Sequence, residues 1–116
     1  MAFASGRGSG MAKYLLEASY TQAGVQGIIK EGGSSRRDFI GKLLADLGGT
    51  LEAFYFAFGE SDVVAIADLP DHEAASAISM AVGASGAVRV TTTVLLEPEQ
   101  IDAATKRTVQ YRAPGA

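Results

Sequence analysis

Apolar and polar positions alternate with a period of two in four stretches and recur at three- and four-residue spacing between them, so the order of these rhythms predicts the order of elements. From Lys13 to Tyr20, Tyr14, Leu16 and Ala18 point one way and Lys13, Leu15, Glu17 and Ser19 the other, which predicts a strand. Thr21 to Lys30 carries Val25, Ile28 and Ile29 at helical spacing, but Gly24, Gly27 and the pair Gly32-Gly33 reduce the expectation to a short helical turn. Ser35 with Asp38 three residues on has the form of a capping box, and Phe39, Ile40, Leu43, Leu44 and Leu47 follow as an apolar stripe. A helix is predicted from about Arg36 to Leu47, stopped by Gly48-Gly49.

Thr50 to Phe58 alternates Leu51, Ala53, Tyr55 and Ala57 against Glu52, Phe54, Phe56 and Phe58, a strand with two largely apolar faces. Gly59-Glu60-Ser61-Asp62 is a polar hairpin loop, and Val63 to Asp68 the returning strand. Pro70-Asp71 ends it, with Asp71 placed to cap a helix from His72 to about Ala84 whose face is thin and alanine-rich. Val88 to Leu96 is a β-branched strand, and Pro98 to about Arg107 a terminal helix with proline in its first turn.

Strand, helix, strand, strand, helix, strand is the α+β order of a ferredoxin-like βαββαβ domain, with two helices on one face of a four-stranded antiparallel sheet. The domain is expected over residues 12–108, between flexible tails at 1–11 and 109–116, and Met11 reads as an original start behind an expression scar. The other sheet face is expected to present Leu15, Ala53, Tyr55, Ala65 and Leu95 beside Glu17, Arg89, Thr91 and Thr93. Such a mixed, largely apolar face predicts pairing with a second sheet, hence a homo-oligomer.

Composition narrows the partners. A chain of 116 residues with 47% hydrophobic content suffices for one core, and a net charge of −3 with no basic stripe argues against nucleic acid. No apolar run is long enough to span a bilayer. The absence of cysteine rules out disulfides and thiolate chemistry and fits a reducing compartment, so a cytoplasmic location is expected.

Several residues are candidates for chemistry. Glu60 and Asp62, two apart on a turn, form either an acid pair or a set in which Asp62 binds turn amides and Glu60 is solvated; the second is the simpler reading. His72 is the only histidine and lacks an HxH or HxxxH partner, so no metal site is expected. Glu17 and Arg89, on strands that neighbour one another in this fold, suit either a structural ion pair or a site for a polar ligand, with Tyr55 beside them. Arg36 and Arg37 stand at a helix start, where the dipole disfavours cations, and helix stability does not explain them.

Gly48-Gly49, the aromatic strand with Tyr55, Gly59-Glu60-x-Asp62-Val63-Val64, Pro70-Asp71 and Gly86-x-Val88-Arg89 together resemble the GYD domain family, small bacterial proteins related to the dimeric α+β barrel group. Ser61 stands where that family has its namesake tyrosine. The resemblance implies a ferredoxin-like protomer that dimerises or assembles further through its sheet, and it supplies no reaction; no cofactor is expected. The wider group includes cofactor-independent oxygenases, haem enzymes, isomerases and ligand sensors. The reading is therefore a homo-oligomer binding a small organic ligand in a cavity between paired sheets, lined by Tyr55, Glu17 and Arg89 with His72 as a further candidate. A cofactor-independent oxygenase or isomerase and a purely structural oligomerisation module are the alternatives.

Overall fold

In the computed structural model, which describes residues 11–116, the elements follow as β1 (Ala12–Tyr20), α1 (Gln22–Glu31), α2 (Gly33–Asp46), β2 (Thr50–Phe56), β3 (Val63–Leu69), α3 (His72–Ala84), β4 (Val88–Leu95) and α4 (Pro98–Thr105). Except for Met11, the amino-terminal tail and the suggested scar lie outside the described residues. The four strands form one antiparallel sheet in the order β2-β3-β1-β4, the ferredoxin-like arrangement. Tyr14, Ala67 and Leu69 of the sheet and Leu44, Ala75 and Ile78 of the helices make the core, with Leu51, Ile40, Leu43 and Val82 packed around them.

The region expected to hold only a helical turn is a helix of ten residues. Its glycine is a contact surface and not a breaker: a Cβ on Gly24 would lie 2.1 Å from the Ala87 carbonyl oxygen. Thr21 secures the same junction, its amide donating to Ala87 O at 3.0 Å and its hydroxyl to Gly86 O at 2.9 Å. Helix α2 also starts earlier than the apolar stripe predicts. Gly32, at φ 88°, turns the chain from α1 straight into α2 at Gly33, so Ser35 falls inside the first turn and makes no cap. The other helical signals hold: Asp71 accepts from the Ala74 amide at 2.8 Å, and Gly48 takes φ 83° to close α2.

Strand β2 departs from plain alternation. A bulge between Leu51 and Ala53 puts Leu51 opposite Ala67, on the helix side, while Ala53 faces Ile66 on the other. The expectation that Ala65 belongs to the open face is also corrected. Ala65 is buried at 3% exposure beneath the helices, and its neighbours Val64 and Ile66 take the open face. That face therefore carries Leu15, Val64, Ile66, Ala53, Tyr55 and Leu95 among Glu17, Arg89, Thr91 and Thr93, with no element of the described chain packed over it.

Candidate functional site

Two places gather functional side chains, one on each side of the sheet. On the helix side, a cavity of about 60 Å³ lies between the sheet and helices α2 and α3. Leu16, Ala18, Val63, Ala65, Val88 and Val90 form its floor, and Ile40, Leu43, Ile78 and Val82 its roof. The interior is almost wholly apolar because strands β1, β3 and β4 all turn small or β-branched residues this way: the short side chains of Ala18 and Ala65 leave the space that larger residues would fill.

Arg36 and Tyr20 are the polar members of the lining. The early start of α2 places Arg36 one turn into the helix, its amide bonded to Gly32 O at 3.3 Å, and turns it toward the sheet while Arg37 points outward to Asp38. The Arg36 guanidinium carbon sits 5.4 Å from the Phe39 ring centroid, and no carboxylate pairs with it among the described residues. Burial pushes the Tyr20 phenol above its ordinary pKa, and the neighbouring Arg36 works against that rise. Sequence reasoning noticed Arg36 as unexplained but did not connect it with Tyr20; the register that brings them together depends on Gly32.

Asp62 fixes this end of the sheet. Its amide donates to Ala18 O at 2.8 Å and its carboxylate accepts from the Tyr20 amide at 2.8 Å, so the hairpin carboxylate extends the pairing of β3 with β1. Glu60 is exposed, and the Gly59 amide donates to Ser61 O at 3.1 Å within the turn.

On the open face, Tyr55 lies opposite Val64 at 70% exposure, and Glu17 lies opposite Val64 on its β3 side and Thr91 on its β4 side. Arg89 lies opposite Ser19, a diagonal neighbour of Glu17, and no ion pair joins the two. At the other end of the face, Lys13 bridges Glu52 and Asp68, the latter at 3.0 Å. The hydrogen bond to Glu52 is the largest cause of a raised Lys13 pKa.

His72 belongs to neither group. Its Nδ1 lies 2.6 Å from the hydroxyl of Tyr14, with the rings edge to face at 5.9 Å. An unprotonated Nδ1 accepts from the hydroxyl and a protonated Nδ1 donates to the hydroxyl oxygen, so the direction of the bond follows the tautomer. Burial is the main cause of the raised Tyr14 pKa, with Asp71 and Glu73 adding to it. Tyr14 reads in the sequence as a core strand residue, and nothing in its spacing marks it as the partner of a histidine 58 positions away. Tyr55 and His72 consequently lie on opposite sides of the sheet.

Among the described residues, no three His, Asp or Glu side chains gather as a metal site requires, and no helix is long and apolar enough to cross a membrane. A family model for the GYD domain matches residues 14–105. No curated protein and no solved structure matches the chain.

Proposed function

Because the chain belongs to the GYD domain family, whose membership names no reaction, we propose from its geometry that it binds a small, predominantly apolar organic molecule in the cavity between sheet and helices. The observation that carries this reading is an almost wholly apolar cavity whose lining residues include Arg36 and Tyr20. At about 60 Å³ the enclosed space is smaller than the roughly 150 Å³ void that takes up benzene in an engineered core. The ligand therefore fills the interior with its apolar part and leaves a polar end at the mouth, within reach of the guanidinium and the phenol. The protein acts as a homo-oligomer paired through the open sheet face.

Native mass spectrometry of the protein purified from its source, compared with an Ala18→Leu variant, tests the binding. The larger side chain fills the cavity floor, so a retained extra mass is expected on the wild type and not on the variant, with both chains folded. An extra mass held equally by both would sink the assignment to this cavity.

A second reading places the ligand between two paired sheets, and the unpaired Glu17 and Arg89 on the open face favour it. In that case Ala18→Leu retains the ligand, and Arg89→Gln releases it.

A further inference from the structure

From Leu96 to Ala116 every residue of the chain is exposed, including the whole of α4. The side chains of Leu96, Ile101, Val109 and Tyr111 stand 58%, 48%, 77% and 76% exposed, four large apolar groups on one arm. Among the described residues, the hydrogen bonds formed by the arm's side chains stay within it: Gln100 Oε1 accepts from the Glu97 amide at 2.7 Å, the Thr105 hydroxyl donates to Asp102 O at 2.7 Å, and Arg112 donates to Ala116 O at 2.8 Å.

A helix of eight residues is unstable in water on its own and needs an apolar face packed against something. The described body offers it nothing. We propose that this arm docks on the body of a second copy of the same chain.

Two features of the chain select a second copy over an unrelated partner. The first is charge. The arm is acidic along α4, with Glu97, Glu99 and Asp102, and basic beyond it, where residues 106–116 hold Lys106, Arg107 and Arg112 and no acidic side chain; residues 12–95 hold ten acidic side chains against six basic ones. The basic end of one chain thus complements the acidic body of another. The second is position. The arm leaves the edge strand β4 at Leu95, a residue of the open sheet face, so it starts beside the surface that lacks a cover. Each copy brings both an arm and a body, and a two-fold axis satisfies both at once. This inference is independent of what the helix-side cavity binds.

The arm's exposure makes the test clean, because substitutions in it leave the described core untouched. Sedimentation equilibrium of the full chain is compared with that of an Ile101→Asp/Tyr111→Asp variant, at low and at high salt. The wild type is expected to self-associate, more weakly at high salt, and the variant to dissociate about tenfold more readily with an unchanged melting profile in the dilute, monomeric range. A wild type that stays monomeric at about 100 µM, or a variant that associates as well as the wild type, overturns the proposal. A photo-crosslinker at position 111, used on mixed light and heavy chains, separates the remaining outcomes. Adducts between light and heavy chains support exchange; adducts only within one chain overturn it.

Discussion

Lys13 shows how one side chain organises a surface in this protein. It lies on β1 opposite Asp68, and the bulge in β2 brings Glu52 across from beyond β3, so a single ammonium holds one carboxylate from β3 and one from β2. Half-exposed ion pairs of this kind contribute little singly, and the network matters because removing the cation leaves two like charges side by side. Lys13→Met is expected to cost on the order of 1 kcal/mol in urea denaturation at pH 7. The sign of the pH dependence follows from the raised Lys13 pKa. The lysine's contribution from this shift is complete below its ordinary value of 10.5 and disappears as pH rises through the higher folded value, so wild type and variant converge on that alkaline side. A difference that vanished between pH 6 and pH 9, where the lysine stays charged, would show that its charge does not hold this end of the sheet together.

At the scale of elements, a glycine means opposite things according to what approaches it. In α1 the count of glycines lowers helix propensity, yet Gly24 is where the helix comes against the α3–β4 turn, and no larger residue fits. Gly24→Ala improves local propensity by about 1 kcal/mol and forces a methyl group into the Ala87 carbonyl. The clash is expected to win, lowering the thermal midpoint by several degrees and exposing the amides of Thr21 and Val25 to hydrogen exchange. Unchanged stability would mean that α1 rides loosely on the domain. The same contrast explains what the sequence conveys about the fold. Elements whose ends carry a dedicated residue, such as α3 behind Asp71 and the Gly48 end of α2, are legible to within a residue, as are the strands with strict alternation. The bulge beside Glu52 and the turn at Gly32 are not, because each depends on a partner far along the chain; with them are lost the true face of Leu51 and the meeting of Arg36 with Tyr20. Ala65 illustrates the simplest such failure: alternation shows that Val64 and Ile66 face away from it, but not which side the helices cover.

For the whole molecule, the governing fact is that the described helices supply only one layer. Antiparallel sheets tolerate water on one face when that face is polar, and here its centre is Leu15, Val64 and Ile66 on the two central strands, with Leu95 and Ala53 at the flanks. These side chains are half-buried by one another, which reduces but does not remove the gain from covering them. Glu17 and Arg89 set a condition on any cover: their charges must stay hydrated at the rim or be met by charges from the opposing sheet. Ile66→Lys places a cation in the apolar centre while leaving the helix-side core untouched. Its long stem can lie along the sheet of an isolated protomer, so the unfolding free energy at low concentration is expected to change by less than about 1 kcal/mol. Pairing of two such faces would instead bring two lysines together under a closed interface, and the sedimentation coefficient at high concentration is expected to fall to that of a monomer. Comparison with the arm variant then divides the assembly into its parts. If Ile66→Lys dissociates the oligomer and Ile101→Asp/Tyr111→Asp merely weakens it, the sheet face forms the interface and the arm clasps it. An oligomer untouched by Ile66→Lys would remove the sheet face from the interface and leave the arm to hold the copies together.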